Sequence, residues 1–303
     1  MYNKNKVRLK LIILPGPSSQ ILGVKVANLI KGAEIAEISF KKFPDGEEYI
    51  RIKNDVENDD VLVIQTTFPD QNKCLMQLFF ILDALKDLKP KSISIVLPYL
   101  AYSRQDKRFK KGEALSVKVI STIIKTICGK LLKKVITFDI HSIKILDFFN
   151  GTAKNISAME LFGKYFKDKK ITNVFCLAPD KSATPRAKKI AKILECDFSY
   201  LEKERDLTTG EIETSVKNLD VKNMNVIIAD DIISTGGTMV NAIEILKKQG
   251  AKDIYVCSTH TLLIKDSKFR MYRAGAKDII GTDTTINECS KISVAPLIAR
   301  EFK

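Results

Sequence analysis

The chain has 303 residues, 45% of them hydrophobic and 28% charged, with 50 Lys plus Arg against 36 Asp plus Glu and a formal net charge of +14. That balance belongs to a globular protein, and no apolar run approaches the roughly 20 residues a membrane helix needs, so no membrane-spanning helix is expected. The basic excess raises nucleic acid as a partner, but the lysines spread over most predicted helices without interleaved aromatics and Trp is absent; a Lys-rich surface whose field draws in phosphorylated small molecules is the preferred reading.

Strand and helix patterns alternate almost throughout, which predicts an α/β fold with largely parallel sheets. The first candidate strand covers 9–14. Its LIIL run is too short for the apolar core of a signal peptide and Pro15-Gly16 ends it, so a cytoplasmic location is expected. Further strands are predicted at 34–40, 61–66, 92–97 and 134–139, then at 173–178, 198–203, 225–230, 253–259 and 277–282. Helices lie between most of them. The clearest is 238–249, with apolar positions 239, 240, 242, 243, 245 and 246 and Gly250 as its C-cap. A short helix is expected over 295–302. The six cysteines form no C-x-x-C pair and several sit in apolar runs, which suits buried small hydrophobes.

A weak repeat of strand, polar loop, helix, strand and histidine relates SISIVLPY through VITFDIHS to NVIIADD through IYVCSTH. At about 150 residues per domain, it predicts two similar domains, 1–149 and 150–294, meeting at the turn-like Asn150-Gly151, with the C-terminal helix of 295–303 expected to pack on the first.

Six segments carry chemistry. In 42–52, Phe43, Asp45 and Glu47 surround a Pro-Asp-Gly turn ahead of a strand, an ordinary hairpin when taken alone. In 98–116, Arg104, Gln105, Asp106, Lys107 and Arg108 follow a buried strand; cations so dense beside hydrogen-bonding groups suit a polyphosphate and its base, or form a solvated basic loop. His141 is one of two histidines and lies just past a strand end near Asp139, where a backbone-bonded structural role is the common one. LAPDKSA (177–183) again leads from a strand into a helix. In 201–213, Lys203 and Arg205 alternate with Glu202 and Glu204 before a Thr-Thr-Gly turn, as an exposed charged ribbon also would.

The sixth segment, VIIADDIISTGGT (226–238), is the most informative. A strand buried on both faces is expected to deliver Asp230 and Asp231 to its carboxyl end, where open α/β sheets bind ligands. Thr235, Gly236, Gly237 and Thr238 then offer unhindered N–H groups and hydroxyls at a helix N-terminus, which suits a phosphate dianion. Acids for sugar hydroxyls beside a phosphate cradle suggest a ribose 5-phosphate site.

This last segment resembles the phosphoribosyl-diphosphate loop of the type I phosphoribosyltransferase fold. That likeness leaves open both transferases that consume phosphoribosyl diphosphate and the synthetase that makes it. FPDGE (43–47) and YSRQDK (102–107) separate them, since the pair closely resembles the ATP-binding segments of ribose-phosphate diphosphokinases. The resemblance runs from about residue 9 to 301 with its motifs in order. It implies two type I phosphoribosyltransferase-like domains and the transfer of a diphosphoryl group from Mg-ATP to ribose 5-phosphate, releasing AMP. It implies ATP contacts from Phe43, Asp45, Gly46, Glu47, Arg104, Gln105 and Lys107, partly across the subunits of a homo-oligomer. Mg²⁺ is implied at His141 and Asp180, and catalysis at Lys203 and Arg205. Ribose 5-phosphate contacts are implied for Arg205, Asp230, Asp231, Ser234, Thr235, Gly236, Gly237 and Thr238.

Ser234 stands where many synthetases carry an acid, and 178–191 lacks the Gly-Gly that follows the Asp in those enzymes. Both features, with the short chain, look archaeal. A phosphoribosyltransferase, a non-catalytic regulatory relative and a nucleic-acid binder are the rival readings.

Overall fold

The computed structural model describes residues 10–205, 212–215 and 219–303, the side chains of 203–205 and 212–215 excepted. Two compact units divide the chain. One runs to Ile156 and takes in Val294–Lys303, and the other is Ser157–Ser293.

The first unit runs β1 (Leu11–Pro15), α1 (Gln20–Ala27), β2 (Glu34–Ile35), β3 (Ile38–Lys42), β4 (Glu48–Ile52), β5 (Asp60–Ile64), α2 (Gln71–Asp87), β6 (Ser92–Leu97), α3 (Ser116–Cys128), β7 (Leu132–Phe138) and β8 (Ala153–Ile156). Six of these strands form one parallel sheet in the order β2-β1-β5-β6-β7-β8. Its central strands are buried on both faces, as in Val61–Ile64 and Ile95–Leu97, because helices cover both sides of a parallel sheet. The strand expected at 34–40 is two strands. Glu34 and Ile35 pair with Ile12 and Ile13, while Ile38–Lys42 leaves the sheet to pair antiparallel with Glu48–Ile52. Alternation within 34–40 could not reveal that the chain changes partner at Ala36, whose N–H still bonds Ile13 O at 2.8 Å. β8 lies beyond the boundary expected near 150, because Val135 to Phe138 draw Ala153 to Ile156 onto the first sheet. The C-terminal helix Ala295–Arg300 belongs to the same unit, and Glu301 after it pairs with Lys134 at 3.0 Å and Lys154 at 2.6 Å.

The second unit runs α4 (Met159–Asp168), β9 (Val174–Ala178), α5 (Thr184–Leu194), β10 (Asp197–Tyr200), β11 (Glu202–Arg205), β12 (Ile212–Ser215), β13 (Asn225–Ile233), α6 (Gly237–Lys248), β14 (Ile254–Thr261), α7 (Ser267–Ala274), β15 (Ala276–Thr282) and β16 (Ser290–Ile292). Its parallel sheet has the order β10-β9-β13-β14-β15-β16. The strand expected at 198–203 is again split, between the sheet and the antiparallel pair β11-β12. The core gathers β9, β13 and β14 against α6 through Leu177, Ile228, Val256, Ile243 and Leu246. Gly163 lets α4 approach α5 closely, since a Cβ there would meet Ile193 Cβ at 2.8 Å. Cys176 and Cys196 bring their sulfurs within 3.7 Å of each other as free thiols.

Each unit therefore repeats one topology, second strand outermost, then first, third, fourth, fifth and sixth, with an antiparallel hairpin inserted after the second. The repeat expected from sequence is displaced by one strand. By position in the sheet, β13 corresponds to β5 rather than to β6, and β14 to β6 rather than to β7. Among the described residues no helix is long and apolar enough to cross a membrane.

Candidate active site

In the second sheet the chain leaves β9 toward β10 on one side and β13 toward β14 on the other. The carboxyl ends of β9 and β13 thus flank a topological switch point, the usual ligand crevice of such sheets. β13 does not end at the acids, as expected, but continues to Ile233. Its pairing with β9 stops at Ile228↔Leu177, whereas pairing with β14 runs on to Ile233↔Thr261. Asp230 and Asp231 are therefore held in strand geometry by one neighbour while the other edge lies open.

Asp231 is buried and Asp230 partly so. Burial first, then the neighbouring Asp231 charge, pushes the Asp230 carboxyl well above the usual carboxylate range. Arg186 on α5 opposes this. Its Nη2 lies 3.2 Å from Asp231 Oδ2 and its Nη1 3.8 Å from Asp230 Oδ1, with only 16% of the side chain exposed. Sequence reading missed Arg186. It stands among Lys188, Lys189 and Lys192 on a basic helix, and nothing in spacing marks it as the residue that faces the acids.

After Ile233 the chain turns through Ser234 and Thr235 to Gly236, the N-cap of α6, at φ 75°. The Ser234 carbonyl accepts from Ile264 N at 3.0 Å, and the Thr235 carbonyl accepts from Arg270 Nη2. Both carbonyls are thereby occupied within the protein, while the first-turn N–H groups of α6 have no partner within the helix. Thr235, Gly237 and Thr238 are exposed. Nothing lies within 4 Å of a Cβ built at Gly237, so bare backbone faces open space at the positive end of the helix dipole.

The corresponding loop of the first unit, after β5, is spent on internal bonds. Gln65 Nε2 donates to Cys74 O at 3.2 Å, and Thr67 Oγ1 donates to Tyr99 O at 2.7 Å. Gln65 and Thr67 are buried. One topology thus carries an open cradle in the second unit and a filled one in the first.

In the first unit, the segment 43–47 closes the β3-β4 hairpin. Phe43 N donates to Glu47 O at 2.8 Å and Gly46 N to Phe43 O at 2.9 Å, with Gly46 at φ 104°. Phe43 is exposed and packs edge-on to Tyr49 at 6.0 Å, with Lys41 Nζ 4.7 Å from its ring centroid. Gly46 and Glu47 line a groove of about 530 Å³ with Asp70, Asn72 and Lys73. Arg104 and Gln105 line a second groove, of about 510 Å³, with Gln71, Asn72, Tyr99 and Tyr102. Asn72 is common to both, and its Oδ1 accepts from Tyr102 Oη at 2.5 Å. The amino end of α2 therefore gathers Gly46, Glu47, Arg104 and Gln105 around neighbouring grooves. Phe43, Asp45 and Lys107 line neither; Lys107 Nζ instead sits 4.8 Å from the centroid of Phe109. Asn72 is a second residue that sequence reading did not single out.

His141 belongs to the first unit and Asp180 to the second. His141 is exposed after a sharp turn in which Asp139 takes φ 33°. Asp180 Oδ1 caps the turn after β9, accepting from Ser182 N at 3.0 Å, Ser182 Oγ at 2.6 Å and Ala183 N at 3.3 Å. Among the described residues, no group of three or more His, Cys, Asp or Glu is placed to hold a metal alone. Mg²⁺ commonly takes one or two carboxylates and completes its shell with substrate phosphates and water. A single half-buried carboxylate at a strand end fits that use, and the imidazole is the unusual partner. His260, the second histidine, is buried with Nδ1 2.9 Å from Thr284 Oγ1. Lys203 and Arg205 pair through backbone with Thr214 and Ile212; their side chains and residues 206–211 lie outside the described residues.

Two parallel sheets of one topology, one ending in an acid pair and a Gly/Thr helix start, define the phosphoribosyltransferase class of fold. Residues 148–293 match the family described as the phosphoribosyl transferase domain, and residues 11–128 the one described as the N-terminal domain of ribose phosphate pyrophosphokinase. The ribose-phosphate pyrophosphokinase of Sulfolobus acidocaldarius is 41% identical, over 96% of this chain and 100% of its own. That of Methanobrevibacter smithii is 40% identical at the same coverage. The crystal structure of phosphoribosylpyrophosphate synthetase from Mycobacterium smegmatis superposes with a TM-score of 0.84 at 27% identity, over 96% of this chain and 97% of that one. The chain belongs to the ribose-phosphate pyrophosphokinase family, and is an enzyme of that diphosphoryl-transferring class.

Proposed function

We propose that the protein joins ribose 5-phosphate and Mg-ATP into 5-phosphoribosyl 1-diphosphate and AMP. The observation that carries this reading is the open cradle of the second unit, Asp230 and Asp231 followed by Ser234 to Thr238, in a chain whose first unit fills its own cradle and gathers Glu47, Arg104 and Gln105 instead. The sugar's 1-hydroxyl attacks the β-phosphorus and AMP leaves. Asp230 and Asp231 accept from the sugar hydroxyls, and the N–H groups at the start of α6 with the Thr235 and Thr238 hydroxyls hold the 5-phosphate. Phe43, Asp45, Gly46, Glu47, Arg104, Gln105 and Lys107 hold the nucleotide. The exposed aromatics Phe40, Phe43 and Tyr49 on one hairpin support a homo-oligomer that shares this site between copies.

His141 and Asp180 would hold Mg²⁺, which neutralises charge on the transferred phosphates when bound. Lys203 and Arg205 supply cationic stabilisation to the same group as it moves, since phosphoryl-type transfer depends on positioning and charge rather than on covalent help. A cytoplasmic setting, with its nucleotide and sugar phosphate pools, suits the reaction. Incubation with Mg-ATP and ribose 5-phosphate is expected to yield AMP and phosphoribosyl diphosphate in equal amounts. Release of diphosphate from phosphoribosyl diphosphate and a base, with no AMP formed from ATP and ribose 5-phosphate, would instead indicate a transferase.

A further inference from the structure

Arg186 joins two parts of the second unit that the reaction needs held together. Besides the acids, its Nη1 donates to the Ser182 carbonyl at 3.4 Å, and Ser182 in turn binds Asp180 Oδ1 through both N–H and Oγ. The acid pair has its own internal tie, from Asp231 N to Asp230 Oδ1 at 2.8 Å. Two adjacent carboxylates in a sparsely solvated place repel each other and turn apart unless a cation spans them. A planar guanidinium, with several donors in fixed directions, can span both oxygens and a carbonyl while fixing their orientation; an ammonium is a point charge whose rotatable donors impose no such geometry. Arg186 reaches both acids of the pair from α5.

We propose that Arg186 is a positioning residue for the sugar, setting the Asp230–Asp231 pair to receive the hydroxyls and so setting the selectivity for a 2-hydroxylated pentose 5-phosphate. This rests on the acid pair binding those hydroxyls, as read above. Held by Arg186, the pair meets the sugar in one fixed orientation, and the sugar 2-hydroxyl is then felt through Arg186 without being touched by it. An analogue lacking that hydroxyl leaves a carboxylate acceptor unpaired, which a site built for hydrogen bonding rejects strongly.

The test is steady-state kinetics on the full-length enzyme with Arg186→Met and Arg186→Lys, using 2-deoxyribose 5-phosphate as a competing ligand. Arg186→Met is expected to raise KM for ribose 5-phosphate about 10-fold, with KM for ATP within about 2-fold, and to bring the inhibition constant of the 2-deoxy sugar closer to that KM. Arg186→Lys, which keeps charge but not the fork, is expected to fall between, and serves if the Met variant fails to fold. A parallel loss toward both sugars, or an unchanged KM for ribose 5-phosphate, overturns the proposal. Asp231→Asn separates the two readings. If it raises that KM while the Arg186 variants do not, only the role of Arg186 falls; if it too leaves KM unchanged, the acid pair does not bind the sugar and both fall.

Discussion

A Cβ added at Gly236 would lie 3.1 Å from the Cβ of Ser267, the buried first residue of α7. The same glycine caps α6 at φ 75°, a backbone region that costs a side chain about 1–3 kcal/mol. The dihedral requires glycine, and the tight contact favours it as well. Gly236→Ala is expected to cost stability in that range and to raise KM for ribose 5-phosphate, because relief of the contact must tilt the loop whose carbonyls bind Ile264 and Arg270. Thermal melts and initial rates check it. An unshifted melt with normal KM would show that the loop tolerates the methyl.

Asp230 predicts a trade between stability and binding. Its carboxyl titrates above the ordinary range because of burial and Asp231, so between 3.8 and the raised value the folded chain holds a proton that the unfolded chain has released. Stability contributed at this position therefore falls as pH rises through that window. Asp230→Asn is expected to raise the melting temperature at pH 7–8, with less gain at pH 4, while weakening ribose 5-phosphate binding. In the parent enzyme, kcat/KM for the sugar should fall on acidification at a pH above that of an ordinary aspartate. A melt lowered at neutral pH in the variant would contradict the burial argument.

Lys203 carries the transition-state prediction. Lys203→Ala is expected to lower turnover at least about 100-fold, about 2.7 kcal/mol of lost stabilisation, with both KM values and the melting curve nearly unchanged. Near-normal turnover would remove Lys203 from the reaction.

The exposed Phe43 predicts complementation between copies. Phe43→Ala and Arg104→Ala should each raise KM for ATP, by about 10-fold, without moving that for ribose 5-phosphate. Were the two residues contributed to one site by different copies of a dimer, subunit exchange between the variants would restore about a quarter of parent activity, since half the dimers are mixed and one of their two sites is intact. No recovery on mixing would place Phe43 and Arg104 within a single copy's site.

The hydrophobic code of the sheet strands was readable because a strand buried on both faces shows as an unbroken apolar run, as in Val226 to Ala229 or Ile93 to Leu97. Two of the four edge strands escaped it. β8 and β16 carry Lys154, Asn155 and Lys291, and the hairpin strands β3 and β11 were fused to their sheet neighbours because alternation continues while the pairing partner changes. The repeat was legible as a rhythm but was placed one strand late, since strand order depends on which strands hydrogen-bond and not on which residues look alike.

The residue types at the functional positions came from the linear chain, because contiguous motifs such as Asp230 to Thr238 and Phe43 to Glu47 carry their acids, glycines and cations within a few residues. Their arrangement came from long-range packing. Only β13 outlasting β9 leaves the acids at an open sheet edge, only α5 brings Arg186 within 3.2 Å of Asp231, and only the amino end of α2 gathers the groove residues at Asn72. Burial, strand register and helix docking are set by contacts between segments tens of residues apart, and no local pattern of residues encodes which of those segments will meet.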